Sequence, residues 1–237
     1  MKNNKVEVGY GKTMAIVMNV ANPVKKKVIK TTCVIHKFIN IKALELIKEL
    51  GYSKEYMFFS KYIGELNYGA FWIDQDFRSR NHLYYLNYEK GMYGFSNAFT
   101  ESEKYFEEAI KTMHKEGIGK SVFYLGTVCH LIQDMTVPHH VIRGKLKEHR
   151  AYEQFIRRKY RNNEFAKIKG KRIIKFETIG EFIKENAENS YQLYHKLNCY
   201  EKNEKFDIMC NILLERAIET TAGLLISYYE MIFENRI

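Results

Sequence analysis

The sequence predicts an all-α fold, and three observations carry that reading. Only two prolines occur in 237 residues, so long stretches are free of the strongest helix breaker. Charged and apolar residues alternate at helical rather than strand spacing along most of the chain. The segment Asp207–Phe233 keeps that spacing without interruption. With 46% hydrophobic residues, a chain of this length can bury one substantial core, and a single domain is expected.

Taken in order, the pattern places helices near 36–50 and 55–67, an irregular loop over 69–94, and helices near 98–116, 119–136, 147–163, 176–197 and 204–234. Gly51 and Gly117 read as helix exits, since glycine takes the left-handed conformation cheaply. In the last helix Ile208, Ile212, Leu213, Ala217, Thr220, Leu224, Ser227 and Met231 recur at helical spacing, which reads as an amphipathic structural element. There is no internal repeat, low-complexity tract or linker. Residues 1–30 read as a basic extension and 31–237 as the helical domain.

Cys33, Cys129, Cys199 and Cys210 show no paired spacing, so reduced thiols are the simpler reading. No apolar run approaches the roughly 18 residues of a transmembrane helix. Met14–Ala21 contains an Asn and leads into Pro23 and Lys25–Lys27, which is a poor signal peptide. A cytoplasmic location is therefore the expectation.

The net charge of +10 is unevenly placed. Residues 141–175 carry thirteen Lys or Arg against three Glu, and residues 1–40 carry eight Lys against one Glu, leaving the remainder net acidic. A basic rim beside a functional site would attract a phosphate-bearing substrate or an anionic lipid surface. The bland alternative is a solvated cationic face.

The chemistry-bearing stretch runs from Tyr124 to His140. His130 and Asp134 are four apart and share a helix face, and Pro138 then turns the chain before His140. The same spacing returns in His149 and Glu153. Two helices that each present a His and a carboxylate, joined by a short turn carrying another His, make a cage for more than one metal ion. His114 and His195 read as surface groups, and His139 as a neighbour of His140.

In order and spacing, His130, Asp134, Pro138, His140, His149 and Glu153 resemble the signature of the bacterial zinc-dependent phospholipases C. The segment from His36 to Ile47 resembles the family's first ligand-bearing helix, and Gly69–Tyr85, with Asp74 and His82, resembles its ligand-bearing loop. Asp76 competes with Asp74, but the family's Asp sits where Asp74 is.

This resemblance implies a compact multi-helix domain with a metal cluster at the ends of facing helices and on one long loop. It implies two to three zinc ions per chain. Asp74, His82, His130 and Asp134 would hold the first; His140, His149 and Glu153 the second; His36 and Asp134 the third, with Asp134 bridging. Burying five His and three carboxylates without metal would leave costly unpaired groups. In the family a mature N-terminal Trp closes the third site, but no Trp precedes His36; Cys33, three residues earlier, is the candidate replacement. The family is usually secreted, which the poor signal peptide does not match.

The implied activity is hydrolysis of a phosphodiester, in phospholipids giving diacylglycerol and a phosphorylated head group. A bound metal lowers the pKa of its water from about 15.7 to about 7, and Asp74 would serve both as ligand and as proton acceptor. Peripheral contact with an anionic membrane and a monomeric state belong to the same expectation. Two alternatives stand beside it. Related zinc-dependent single-strand nucleases share the metal arrangement, but they typically carry Asp where Glu153 stands and His where Thr136 stands, so nucleic acid ranks below lipid. The other alternative is a non-catalytic, metal-stabilised module.

Overall fold

The computed structural model describes residues 33–75, 81–86 and 96–234. Among them nine helices follow one another: α1 (Val34–Glu49), α2 (Ser53–Lys61), α3 (Ile63–Ile73), α4 (Ala98–Lys115), α5 (Ile118–Met135), α6 (Pro138–Val141), α7 (Leu146–Arg161), α8 (Ile179–Lys196) and α9 (Lys202–Phe233). There is no strand among the described residues, so the all-α expectation holds. Asp76 and residues 1–32 lie outside them.

Local chemistry sets most boundaries. α1 closes in a Schellman motif: the Gly51 N–H donates to Lys48 O and the Tyr52 N–H to Ile47 O, with Gly51 at φ 87°. Gly117, at φ 93°, separates α4 from α5. Asn97 caps α4 by accepting from the Thr100 N–H, and Thr178 with Glu181 forms a capping box at the start of α8.

Several expectations need correction. The helix predicted at 55–67 is two helices, broken at Tyr62. The predicted loop begins too early: Gly69–Ile73 are helical, and Asp74 is the C-cap of α3. Pro138 does more than end a helix, because it occupies the first turn of α6, where a missing N–H costs nothing. The helix expected from 176 begins at Ile179, after its Thr178 cap.

α9 is not amphipathic through its length. Residues 217–226 are buried on every side, whereas Ile212 is 46% exposed. It is a central helix, and tertiary surroundings rather than a polar face define that stretch. α5 is the other central helix, buried continuously from Leu125 to Met135.

α3 and α5 meet through reciprocal glycines. A side chain on Gly69 would strike the Phe123 carbonyl, and one on Gly126 would strike the Leu66 carbonyl. Each glycine therefore lets the other helix's backbone approach closely. This contact holds the end of α3, with Asp74, against the helix that carries His130 and Asp134.

α5 ends in the protein interior, where its last carbonyls need partners. Asn186 Nδ2 donates to Ile132 O at 3.2 Å, Ser190 Oγ to Met135 O at 2.8 Å and Thr136 Oγ1 to Gln133 O at 2.8 Å. Residues of α8 thus secure the turn that presents Asp134. The negative end of the helix dipole falls beside the same residues, which favours cations there.

The basic block does not act as one rim. Lys169 pairs with Glu49, Lys171 with Glu215, Arg172 with Glu219 and Lys175 with Glu230. That half of the block ties the segment before α8 to α1 and α9. The acidic excess elsewhere in the chain neutralises it.

Candidate metal centre

Every predicted ligand, and Cys33 with them, lines one cavity of about 400 Å³. α1 supplies His36 from its first turn, α3 supplies Asp74 from its C-cap, and the stretch 81–86 supplies His82. α5 contributes His130 and Asp134, α6 contributes His140, and α7 contributes His149 and Glu153. The backbone binds the loop to α6, as the Tyr84 N–H donates to His140 O at 3.0 Å.

Asp134 is the hub. Its Oδ2 lies 2.8 Å from His82 Nδ1, 3.2 Å from His130 Nε2 and 3.7 Å from His140 Nδ1, and its Oδ1 lies 3.5 Å from His36 Nε2. The carboxylate is 4% exposed. Burial works against its ionisation, yet the imidazoles of His140 and His130 hold its pKa well below the ordinary value. His130 answers in kind: burial opposes its charge, but Asp134 raises its pKa well above the ordinary value.

The outer imidazoles are held neutral, the form in which a histidine can bind a metal. Burial and the His130 charge lower His36 to about 4, and burial lowers His140 to about 3 against the pull of Asp134. For Asp74, burial works upward, but His130, His82 and His36 together hold the carboxyl below its usual value.

The donor spacing fits zinc. His82 Nδ1 and His130 Nε2 stand 3.2 Å apart, and His140 Nε2 and His149 Nε2 stand 3.0 Å apart. Two imidazoles bound at about 2.0–2.1 Å to one tetrahedral zinc place their nitrogens roughly 3.3 Å apart. Asp74, His82 and His130 present atoms within 4.8 Å of one another, and so do Cys33, His36 and His130. Glu153 reaches His149 at 3.5 Å. A nitrogen–oxygen donor set of this kind suits zinc among the common ions.

A model of the zinc dependent phospholipase C family matches residues 35–216. The chain belongs to that family. In overall fold it is similar to the alpha-toxin of Clostridium absonum, with a TM-score of 0.66 and 15% identity over 84% of this chain and 64% of the toxin. The alpha-toxin of Clostridium perfringens from avian strain SWCP is similar at a TM-score of 0.62 and 15% identity, over 86% of this chain and 64% of the toxin. This chain thus spans about 64% of the length of either toxin. No curated protein gives a significant match.

Membership makes zinc the cofactor, and the cavity is where the chain gathers the residues able to hold it. Cys33 enters the cluster at a left-handed backbone position, φ 48° and ψ 31°, rare for a residue with a side chain. Its thiol donates to Asp74 Oδ2 at 3.3 Å and lies 3.8 Å from His130 Nδ1. The nearest carboxylate to Cys33 is therefore Asp74 rather than Asp134, and burial pushes its thiol pKa up.

Three contributors escaped the sequence reading. Gln133 Oε1 lies 2.9 Å from His36 Nδ1, while its amide nitrogen donates to Asn40 Oδ1 at 2.8 Å and Thr221 Oγ1 at 3.0 Å. Asn40 in turn donates to Asn67 at 3.0 Å. Only the position of Gln133 inside the His130–Asp134 turn could have drawn notice. Arg157 and the apolar wall made by Ile39, Val137, Ile156, Leu213 and Leu214 also line the cavity.

His139 is a buried neighbour, packed on Tyr152, Tyr194 and Phe206 with Glu148 at 3.8 Å. His114 and His195 are exposed, as expected. All four cysteines are free thiols.

Proposed function

We propose that this chain hydrolyses phospholipids at the phosphodiester, releasing diacylglycerol and a phosphorylated head group. The observation that carries it is the gathering of eight nitrogen- and oxygen-bearing side chains, the ones able to ligate zinc, in one cavity that is also lined by Ile39, Val137, Ile156, Leu213 and Leu214. Such a lining offers polar groups for a metal-bound phosphate and apolar surface for the glycerol portion of a lipid.

Asp74, His82, His130 and Asp134 would hold the first zinc; His140, His149 and Glu153 the second; His36, Asp134 and Cys33 the third. Bound zinc supplies charge stabilisation at phosphoryl oxygens and acidifies water at neutral pH. Asp74, kept ionised by the imidazoles around it, accepts the proton from the attacking water. Water adds to phosphorus as the bond to the glycerol oxygen breaks, and that oxygen collects a proton as it leaves. The aliphatic wall excludes bulk water from the reacting groups. Gln133 holds His36 in the tautomer whose Nε2 is free to coordinate.

Lys147, Arg150, Arg157 and Arg161 of α7 pair with no acid among the described residues. Their charge supports contact of a monomer with an anionic membrane along α7. No helix among the described residues is long and apolar enough to cross a membrane, so that contact would be peripheral.

The test is a substrate panel with the zinc-replete protein: phosphatidylcholine, phosphatidylserine, single-stranded DNA and a nitrophenyl phosphodiester. Diacylglycerol release is expected, and Asp74→Asn should lower kcat by roughly 10²–10⁴, with His114→Ala unchanged. Cleavage of DNA without any of the lipids would reject the lipid reading.

A further inference from the structure

The cavity holds one Lys or Arg side chain among its described lining residues, Arg157. It sits four residues after Glu153 on α7, hence on the same helix face. Arg157 is exposed to solvent and still lines the cavity, so it stands at the mouth. Its guanidinium carries five N–H donors and has no acidic partner among the described residues. By contrast Lys159, two residues on, is matched by Glu164 and Asp207.

The acids of the cavity are committed elsewhere. Asp134 faces four imidazoles, Glu153 faces His149 and Asp74 accepts from Cys33. An arginine at the mouth is therefore free to take an anion from a ligand. Zinc held by the cluster would take the phosphate of a phosphodiester, so the anion left for Arg157 is a second one, farther along the head group. Cradling a quaternary ammonium would require an exposed aromatic face. Apart from histidines, Tyr152 is the only aromatic among the described lining residues, and it is 1% exposed.

We infer that Arg157 is a specificity-determining residue that selects head groups bearing a carboxylate, the serine class, through paired N–H donors to both carboxylate oxygens. The inference rests on the phospholipase reading for its setting. The planar fork of arginine suits this role better than a lysine ammonium.

The test compares two ligands that differ by one carboxylate, O-phosphoserine and phosphoethanolamine, by equilibrium binding to the zinc-loaded protein. Phosphoserine should bind about tenfold more tightly, the size of one charge-assisted pairing. In Arg157→Gln the ratio should fall to near one, with Arg157→Lys between, and zinc content should stay that of the parent. Equal affinities in the parent protein, failure to bind either ligand, or a ratio unchanged in Arg157→Gln would overturn the inference. Equal weakening of both ligands would place Arg157 on the shared phosphate and overturn it too. Release of diacylglycerol from dihexanoyl phosphatidylserine below its micelle threshold separates the two ideas. A preserved binding ratio without lipid hydrolysis would leave Arg157 as a carboxylate reader and reject the phospholipase reading.

Discussion

His36 Nδ1 and Gln133 Oε1 stand 2.9 Å apart, and that one contact sets which nitrogen of His36 faces the cluster. Gln133 donates its amide N–H groups to Asn40 and Thr221, so only its acceptor oxygen is left for His36. His36 must then carry its proton on Nδ1, and its bare Nε2 points toward Asp134, 3.5 Å away. A hydrogen-bonded chain from Asn67 of α3 through Asn40 of α1 to Gln133 of α5 thereby fixes the tautomer of His36.

Replacing Gln133 by Met keeps the volume and removes this selection. Outer-shell partners of ligating histidines are worth about 10–100-fold in metal affinity. Zinc affinity at the His36 site should fall by that amount in titrations with a chromophoric chelator, while the other ions stay bound. Unaltered affinity at all sites would show that His36 does not depend on Gln133.

The glycine contact between α3 and α5 predicts a stability cost with an internal control. Gly126→Ala drives a methyl into the Leu66 carbonyl, backbone that cannot step aside, and overpacking of this kind costs about 1–3 kcal/mol. Gly64→Ala, also in α3, meets nothing within 4 Å and should gain up to about 1 kcal/mol from helix propensity. Denaturant midpoints would read both, and a neutral Gly126→Ala would refute the close crossing.

How far the sequence alone leads depends on whether local spacing or tertiary surroundings decide a feature. His130 with Asp134, and His149 with Glu153, were legible because four-residue spacing and helix geometry suffice to aim each pair. The break at Tyr62 was not, because residues 53–73 carry helix-compatible residues on both sides and the nearest Gly, Gly64, falls inside α3 rather than at the break. The continuous burial of Ala217–Ile226 was also hidden, since a helix surrounded by others needs no polar face. Gln133 and Arg157 each look like ordinary helix surface residues in one dimension. Only the packing of α5 on α1 and the opening of the cavity beside α7 give them work. The pairing of residues 169–175 of the basic block was hidden for a related reason: their acidic partners lie up to 120 residues away along the chain, for example Glu49 for Lys169.

The pH dependence of the zinc-free protein follows from three histidines that folding keeps neutral. His36 and His139 bind protons at about pH 4 and His140 at about pH 3 when folded, against about 6.5 when unfolded. Below 6.5 the unfolded chain takes up protons that the folded one refuses, so stability falls as pH drops toward 4. His130 has the opposite sign: its contribution is complete below 6.5 and is lost only as pH rises through its raised pKa. Asp134 contributes above its ordinary value and loses its share as pH falls below that toward its depressed pKa. Chelator-treated protein should thus show a melting temperature that declines between pH 6.5 and 4, with a shallower decline in His140→Gln. A flat profile across that window would contradict the neutral state assigned to His36, His139 and His140.

The most direct test is a zinc titration of chelator-stripped protein with diacylglycerol release as the readout. Stripped protein should release none from short-chain phosphatidylserine or phosphatidylcholine, and activity should return as two to three equivalents of zinc bind. Asp134→Asn, which touches more of the cluster than any other single change, should recover neither full zinc content nor activity. Diacylglycerol release that persists without zinc, or its absence at every zinc level in a protein that binds the metal, would contradict zinc-dependent phospholipid hydrolysis by this chain.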